Sequence, residues 1–345
     1  MKRMLASLVL SSVASAFAAT CPAEKWEMAD TQQEGWKVHK LEEARQVASA
    51  LNTSALVVAH KGKIVLEYGR PSSSIRINSS RKSIMSILYG IAHDKGQVNL
   101  DATLGELGID DRSPLTDTEK TATVRNLLSA RSCVFHEAAA ETAGMKAERP
   151  LRGSCKPGEQ WYYNNWDFNA LGAIYKTFTG HDVYEGLKNE LAIPLQFENF
   201  TKFLDTNFQF EFASQYPAYH MNISARDLAR IGVLMSRGGD WCGRQIVSRK
   251  WIQESTASIS PVPKNPGVEY GYMWWTSSRN VHFGNRFKGK VFSARGNLGQ
   301  FLLVDVANDL VVAHLVESNS EAKQVNNSEF GKILRPVLEA IPQAM

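Results

Sequence analysis

Ser79 and Lys82 are the two residues whose types and spacing point most directly to chemistry. A serine hydroxyl is a weak nucleophile until a base removes its proton, and residues three apart on a helix share a face. If Ser79 opens a helix, the helix dipole favours negative charge where the hydroxyl attacks. A lysine buried against an apolar helix can lose its proton near neutral pH. The alternative is an ordinary N-cap serine, and Ser320 and Lys323 repeat the spacing without an apolar periodic segment behind them.

Tyr163 and Asn165 form a second chemical group, in an aromatic segment that begins at Pro157 and Gly158. From an extended loop, a tyrosine hydroxyl and an asparagine amide two residues apart can face the same cleft. The tyrosine can relay a proton if a nearby cation lowers its pKa, and the amide can hold a lysine or a substrate amide. The alternative interpretation is a surface aromatic turn.

The sequence around these motifs predicts the elements that must position them. Apolar runs at 54–60 and 64–68 flank a Lys-Gly-Lys turn and predict a β-hairpin. Apolar residues at helical spacing predict a helix over 82–95 with one buried face. Further helices are predicted over 169–177, 182–191 and 224–236, the last opened by a serine with an acidic residue three positions later.

The C-terminal part of the chain has strand patterns instead. Strands are predicted over 270–276, 301–305 and 310–316, with a turn at 307–309 between the last two. A final helix is predicted over 329–340, with Pro336 as a candidate kink or break. The expected fold class is therefore mixed α/β, with an antiparallel sheet from both termini, flanking helices and a helical lobe. The boundaries expected for the single catalytic domain are 19–345, with a sheet lobe at 40–78 and 265–345 and a helical lobe at 79–264.

The first residues predict export. Lys2 and Arg3 precede an apolar run at 5–13 and a small-x-small site at 16–18, which predicts a secretory signal peptide over 1–18. The apolar run is too short to span a bilayer, and no later stretch reaches that length, so no stable membrane anchor is expected. We therefore expect a periplasmic or secreted protein.

The composition, 43% hydrophobic and 21% charged, is typical of a globular enzyme-sized chain. Removing the signal peptide lowers the formal net charge from +4 to +2, because it takes away two basic residues and no acidic ones. No run rich in lysine or arginine stands out, which argues against a nucleic-acid partner. No Cys-x-x-Cys or histidine-rich spacing supports a zinc site.

The chain has four cysteines, which allow three pairings in an oxidising compartment. We predict a Cys133–Cys155 disulfide across the loop that leads to Tyr163, and a Cys21–Cys242 disulfide that ties down the N-terminal segment. Four free, partly buried thiols are the alternative.

With both motifs in this order, the chain resembles the β-lactamase-related serine hydrolases. That family contains class C β-lactamases, D-alanyl carboxypeptidases, D-aminopeptidases, carboxylesterases and 6-aminohexanoate oligomer hydrolases. Its Ser-x-x-Lys and Tyr-x-Asn motifs match here, and further matching segments are 96–101, 171–172, 194–195, 224–230, 238–241 and 270–275. The resemblance implies that Ser79 is the acylated nucleophile and that Lys82 and Tyr163 transfer protons. It also implies that the amide of Asn165 binds the substrate.

The third motif of the family is altered in this chain. Lys-Thr-Gly or His-Thr/Ser-Gly is usual in its β-lactamases and carboxypeptidases, whereas residues 293–296 read Ser-Ala-Arg-Gly. The N–H of Gly296 is expected to be the second oxyanion donor. Arg295 could replace the missing charge that meets a substrate carboxylate. This departure argues against β-lactam hydrolysis more than against acyl transfer itself.

Other aromatic and ionisable residues are weaker candidates. Four tryptophans could line an acyl pocket, although such residues are more often part of the core: Trp161, Trp166, Trp274 and Trp275. His220 could edge the cleft, and a structural histidine is the more frequent alternative. His136 and Glu137 lie between two cysteines and could reach the site. The chain has no Gly-x-Ser-x-Gly motif, so an α/β-hydrolase has no nucleophile here.

The sequence therefore predicts an exported serine hydrolase that cleaves an ester or amide in a small molecule or short peptide, through an acyl-enzyme on Ser79. No metal or organic cofactor is expected. One alternative is a β-lactamase or D-alanyl-D-alanine carboxypeptidase, against which the altered third motif argues. Another is a non-catalytic binder of peptidoglycan fragments, against which the complete set of Ser79, Lys82 and Tyr163 argues.

Overall fold

The computed structural model describes residues 20–317 and 323–342, so the predicted signal peptide lies outside the described residues. In chain order the strands are β1 Ala55–His60, β2 Lys63–Gly69, β3 Ile75–Arg76, β4 Thr206–Glu211, β5 Ser214–Ile223, β6 Asp240–Trp241, β7 Arg244–Gln245, β8 Ser260–Pro261, β9 Glu269–Tyr270, β10 Trp275–Thr276, β11 Val281–His282, β12 Asn285–Arg286, β13 Val291–Gly296, β14 Gln300–Asp305 and β15 Leu310–Leu315.

The helices alternate with these strands mainly in the middle of the chain. They are α1 Val38–Ala50, α2 Arg81–Asp94, α3 Val124–Leu128, α4 Ala143–Glu148, α5 Asn165–Thr179, α6 Val183–Gly186, α7 Lys202–Asp205, α8 Ala225–Ser236, α9 Arg249–Ser255 and α10 Asn327–Ala340. No helix among the described residues is long and apolar enough to cross a membrane.

A large antiparallel sheet joins strands from both ends of the chain. Its order is β2-β1-β15-β14-β13-β10-β9-β8. β1 and β15 pair in register from Ala55 opposite Leu315 to His60 opposite Leu310. The predicted hairpin is confirmed, since β1 and β2 are antiparallel neighbours. The strands that both termini contribute thus lie side by side, which confirms the predicted fold class.

The sheet is buried on both faces. On β1, Val57 and Ala59 belong to the core that α2 and α8 cover, whereas Leu56 and Val58 belong to the core under α1 and α10. Successive strand residues point to opposite faces, so an unbroken apolar run is what a strand covered on both sides requires. This layering places α2, and the residues before it, between the sheet and the helical middle of the chain.

The helices that matter for the site begin close to their predicted positions. α2 starts one residue earlier than expected, at Arg81. Ser224 caps α8, because its hydroxyl oxygen accepts a hydrogen bond from the N–H of Asp227 at 3.0 Å. α10 runs from Asn327 to Ala340 with Pro336 inside it, so the proline does not end the helix.

The middle of the chain, which the sequence predicts to be mostly helical, also contains strands. β3, β5 and β4 form a smaller antiparallel sheet, with Ile75 opposite Ile223 and Thr206 opposite Met221. The phenylalanines of 206–212 alternate with polar residues, which is the period of a strand. This alternation can be recognised within the segment itself. In contrast, β5 pairs with β3, the short strand before Ser79, and the paired residues are nearly 150 positions apart in the chain.

The prediction of a single strand over 270–276 is wrong in detail, because the segment contains the end of one strand and the start of another. β9 and β10 pair with each other as a tight hairpin, so the segment folds back on itself. Met273 has a left-handed φ of 60° in this turn. A Cβ on Gly271 would lie 2.2 Å from the carbonyl oxygen of Ser255, so the chain needs glycine there. A close backbone approach of this kind leaves no periodic signal in the sequence.

Both predicted disulfides are confirmed. Cys133 and Cys155 are bonded, with Cα atoms 5.8 Å apart and 22 residues between them in sequence. Cys21 and Cys242 are bonded as well, with Cα atoms 5.2 Å apart. The first bridge closes the loop that precedes Tyr163, and the second fastens the N-terminal segment to the turn between β6 and β7.

Candidate active site

Ser79 lies in a tight 3₁₀ turn, Asn78–Ser80, that leads directly into α2. Asn78 has a left-handed φ of 47°, a conformation that asparagine adopts more readily than most residues. Its amide nitrogen donates to the carbonyl oxygen of Asn297 at 2.9 Å. Arg81 in turn donates to the carbonyl oxygen of Asn78 at 2.9 Å. Ser79 therefore sits two residues before the helix, on a turn held from both sides.

Lys82 occupies the centre of the site. Its Nζ lies 3.0 Å from the hydroxyl of Ser79 and 3.0 Å from the hydroxyl of Tyr163. It also donates to Oδ1 of Asn165 at 2.8 Å. The side chain is only 2% exposed. The structure thus brings together the four residues of the two motifs around one amino group.

The protonation of this group follows from its surroundings. Burial, together with the charge of Arg81, holds the pKa of Lys82 well below its usual range. Burial raises the pKa of Tyr163 to about 12, which a hydrogen bond to Ser79 and the charge of Arg81 only partly offset. A nearby cation therefore does lower the tyrosine pKa, as expected, but the effect of burial is larger. An amine whose pKa is lowered, beside a phenol whose pKa is raised, makes Lys82 the stronger candidate for the base.

The amide of Asn165 is hydrogen-bonded within the protein through both its oxygen and its nitrogen. Oδ1 accepts from Lys82, and Nδ2 donates to the carbonyl oxygen of Ala140 at 2.8 Å. The residue is buried, at 2% exposure. Asn165 therefore holds Lys82, one of the two roles expected of its amide, and fastens the 130–140 loop. Its part in substrate binding stays a prediction.

Buried polar residues on the 130–140 loop fix the position of Tyr163. The Nδ2 group of Asn164 donates two hydrogen bonds, to the carbonyl oxygen of Val134 at 2.7 Å and to Oδ1 of Asp167 at 2.9 Å. The hydroxyl of Ser132 donates to the same Oδ1. Burial raises the pKa of Asp167 well above its usual range. These bonds join the loop behind Cys133 to the start of α5, directly after Tyr163.

Gly296, at the end of β13, lies against the turn that carries Ser79. A Cβ built on it would come within 2.4 Å of the carbonyl oxygen of Ile77 and 3.1 Å of the backbone nitrogen of Ser79. Its φ of −129° is one that any residue can adopt, so the requirement for glycine is steric. The backbones of Ser79 and Gly296 are thus packed together, as two donors to a single oxyanion must be.

Arg295 points to the opposite face of β13 from its neighbour Ala294. Its Nε donates to the hydroxyl of Ser293 at 3.0 Å, and Nη2 lies 2.9 Å from Nε2 of His282. The guanidinium lies over the ring of Trp275 at 5.2 Å. Burial lowers the pKa of Arg295 to about 9. Because strand side chains alternate, Ala294 and not the arginine shares the core on the α2 side.

Comparison with known proteins identifies the family of this chain. A family model for the β-lactamases matches residues 38–330, which is most of the chain. The chain belongs to the β-lactamase family. Membership makes it a serine hydrolase of this superfamily. No curated protein matches the chain by sequence.

Solved structures share the fold of this β-lactamase-family chain at low sequence identity. A proposed 6-aminohexanoate-dimer hydrolase from Bacillus anthracis has a TM-score of 0.66 and 19% identity, covering 86% of this chain and 82% of that one. A penicillin-binding protein homologue from Caulobacter crescentus has a TM-score of 0.64 and 13% identity, with coverage of 91% and 98%. A class C β-lactamase has a TM-score of 0.65 and 13% identity, with coverage of 92% and 100%.

The tryptophan candidates separate into two groups. Trp275 stacks on Tyr163 with ring centroids 5.7 Å apart, and Trp161 lies 6.4 Å from Trp275. Trp166 and Trp274 are fully buried core residues, the former donating to Asp111. An aromatic wall of Trp161, Tyr163 and Trp275 therefore continues the site of this β-lactamase-family protein away from Lys82.

The histidine candidates lie outside the Ser79 group. Nε2 of His220 pairs with Oε1 of Gln209 at 2.9 Å, and burial with nearby cations lowers its pKa to about 3. His136 lies 3.4 Å from a carboxylate oxygen of Glu119. Glu137 lies 3.7 Å from Arg149. All three belong to local structural networks.

Arg81 and Asp167 were missed by sequence reasoning. Arg81 holds the turn before Ser79 and places a positive charge beside Lys82, and Asp167 anchors the loop behind Tyr163. A signal existed for both, because each is a charged residue in the first turn of a helix that carries a motif. Charged residues in a first turn are usually solvated, so burial had to come from the structure.

Proposed function

We propose that this protein is an exported serine hydrolase that cleaves an ester or amide bond through an acyl-enzyme on Ser79. The observation that carries the proposal is the position of Lys82, whose Nζ lies 3.0 Å from the Ser79 hydroxyl in a buried site that favours the neutral amine. A serine with a neutral amine at hydrogen-bond distance is an activated nucleophile. Ser79 itself is only partly buried, so a substrate carbonyl can reach it.

In the acylation step, the Ser79 oxygen attacks the carbonyl carbon and its proton passes to Nζ of Lys82. The carbonyl oxygen becomes an oxyanion, which the N–H groups of Ser79 and Gly296 stabilise. The tetrahedral intermediate collapses as the leaving oxygen or nitrogen takes a proton. Tyr163, 3.0 Å from Nζ and protonated, relays that proton from Lys82 to the leaving group.

Deacylation repeats the sequence with water in place of Ser79. Lys82 takes a proton from the water, and the hydroxide adds to the acyl carbon. The second intermediate releases the carboxylic acid and returns a proton to the Ser79 oxygen. Asn165 keeps Nζ in position through both halves, since its Oδ1 accepts from it at 2.8 Å.

The third motif favours an ester or a neutral amide over a β-lactam. Ala294 stands on the α2 side of β13, in the place where the family's β-lactamases carry lysine or histidine. Arg295 is bonded to Ser293 and His282 and lies over Trp275, so its guanidinium is already held by groups of the protein. The Trp161–Tyr163–Trp275 wall supports an apolar acyl or leaving group instead.

Two disulfides support export. Disulfides persist in oxidising compartments and are rare in the cytosol, and the four cysteines are paired here as two bonds. We therefore propose a periplasmic or secreted location, consistent with the signal peptide predicted from the first eighteen residues.

The test is covalent labelling by a fluorophosphonate probe. The wild-type protein should be labelled, and Ser79→Ala should lose both labelling and hydrolysis of a nitrophenyl ester, by about 10³-fold or more. Ser80→Ala is the matched control and should be labelled, because that hydroxyl donates to the carbonyl oxygen of Gln300 at 2.8 Å. Labelling that persists in Ser79→Ala would place the nucleophile elsewhere.

A substrate panel then distinguishes the classes of hydrolase. Turnover of esters and neutral amides, with little turnover of a chromogenic cephalosporin, is the expected result. Efficient cephalosporin turnover would make the protein a β-lactamase. An unlabelled wild-type protein that hydrolyses none of the panel would favour a non-catalytic binder.

A further inference from the structure

One edge of the small sheet exposes an unusual number of large apolar side chains. They lie on α7 and β4 and on the turn after β4, and we call them the phenylalanine edge: Phe203 at 90% exposure, Leu204 at 72%, Phe208 at 40%, Phe210 at 70% and Phe212 at 88%. Large apolar residues exposed singly are ordinary, whereas a contiguous group marks an interaction surface.

The size of this surface fits a protein interface. A fully exposed aromatic side chain contributes about 150–250 Å², so the phenylalanine edge presents roughly 700 Å². The largest apolar patch of an ordinary monomer is about 300–600 Å². A standard interface buries about 800 Å² on each partner. The edge alone thus approaches the area that one half of a stable dimer needs.

The backbone of β4 is open on the same side. β4 is the last strand of the sheet β3-β5-β4, so among the described residues its outer edge pairs with no strand. An exposed, apolar edge strand is a template for pairing with another strand. The β4 side chains alternate, with Phe208 and Phe210 on one face and Asn207, Gln209 and Glu211 on the other.

The strand is complementary to itself. Glu211 is the only ionisable side chain in β4. In an antiparallel pairing of two copies centred on Gln209, Glu211 of one copy lies opposite Asn207 of the other, and Phe208 lies opposite Phe210. No like charges meet, and the phenylalanines of both copies line one continuous face.

A lipid surface fits the same residues poorly. An open strand edge cannot be satisfied in hydrocarbon, because lipid offers no partners for its N–H and C=O groups. Insertion would also carry the carboxylate of Glu211 towards the lipid. A second strand satisfies the backbone groups and leaves Glu211 on the polar face.

We propose that the protein forms a homodimer in which β4 pairs antiparallel with β4 of a second copy, through the phenylalanine edge. The pairing extends the small sheet across the two copies. It leaves the site around Ser79 within each copy, so the dimer does not depend on the proposed function.

Sedimentation velocity between 1 and 100 µM tests the proposal. The wild-type protein should sediment as a dimer in the upper part of this range, and Phe210→Glu should sediment as a monomer throughout. Leu151→Glu is the matched control, since Leu151 is also a large exposed apolar residue, at 82%, and lies outside the edge. It should remain dimeric. Both residues are solvent-exposed, so both variants should fold, which circular dichroism and esterase activity check.

Each remaining outcome overturns the proposal. A wild-type protein that is monomeric throughout the range, or a Phe210→Glu variant that stays dimeric, excludes pairing through this edge. Co-sedimentation of the wild-type protein with phosphatidylcholine–phosphatidylglycerol vesicles, lost in Phe210→Glu, would assign the edge to lipid. A changed KM in Phe210→Glu without a change in mass would assign it to substrate.

Discussion

Replacing Gly296 with alanine is the sharpest test of the proposed oxyanion site. The added methyl group would lie 2.4 Å from the carbonyl oxygen of Ile77 and 3.1 Å from the backbone nitrogen of Ser79. The backbone dihedral angles of Gly296, φ −129° and ψ 154°, suit alanine. The substitution therefore acts by pushing β13 and the Ser79 turn apart, and not by straining its own backbone.

The expected loss follows from the size of that displacement. An ordinary van der Waals contact needs about 3.4 Å, so the strand and the turn must separate by about 1 Å. A misplacement of about 1 Å costs on the order of 100-fold in rate, which corresponds to about 2.7 kcal/mol of transition-state stabilisation. Overpacking of this kind costs about 1–3 kcal/mol in the free energy of unfolding, which a protein of this size tolerates.

The assay is the rate of fluorophosphonate labelling together with kcat/KM for a nitrophenyl ester. Both should fall about 100-fold, mainly through kcat. Gly144→Ala is the matched control, because its Cβ would meet only Thr142 Oγ1, at 3.8 Å, and it should retain full activity. Wild-type labelling in Gly296→Ala, at unchanged folding, would refute the proposal that this backbone contact holds the oxyanion.

Three further predictions concern proton transfer by Lys82 and Tyr163, the effect of Arg81 on the pKa of Lys82, and the disulfide that closes the loop before Tyr163. Lys82→Met, Tyr163→Phe and the double variant should lose nearly the same activity, because the two residues act as one proton-transfer unit; additive losses in kcat/KM would contradict this. Activity depends on the neutral amine, so kcat/KM should fall as pH drops through the pKa of Lys82. Arg81→Gln removes a charge that lowers this pKa, so the acid limb of the profile should move to higher pH, whereas Arg81→Lys should leave it in place; an unmoved limb in both would exclude the electrostatic role. Replacing Cys133 and Cys155 with serine opens a loop of 22 residues and should cost about 3 kcal/mol in the chain-entropy model, measured by urea unfolding; unchanged stability would show that the bridge contributes nothing.

The local chemistry of the site was readable from the sequence. Ser79 and Lys82 lie three residues apart around the start of one helix, and such a spacing places both side chains on one side whatever the rest of the chain does. The apolar runs of β1 and β15 likewise predicted strands. Export and four cysteines predicted disulfides, and the loop between Cys133 and Cys155 made their pairing the natural choice.

Other features of the site depended on contacts between distant segments. The pKa of Tyr163 is raised and not lowered, because burial outweighs the effect of Arg81. Asn165 is hydrogen-bonded to Lys82 and to Ala140, and the second of these partners lies on a loop 25 residues away in sequence. Sequence spacing carries no information on burial or on which partner reaches a polar group first.

β13 shows most clearly which features of the site the sequence predicts and which depend on the tertiary structure. The motif at 293–296 could be located in the sequence, since its flanking glycines mark it. The direction of Arg295 could not, because a slip of one residue in register exchanges the two faces of a strand. Pairing of β13 with β10 and β14 sets that register and turns the guanidinium to His282. Periodicity along the chain thus determined the elements and the residues that do chemistry, whereas long-range pairing and packing decided which of those residues face the cleft.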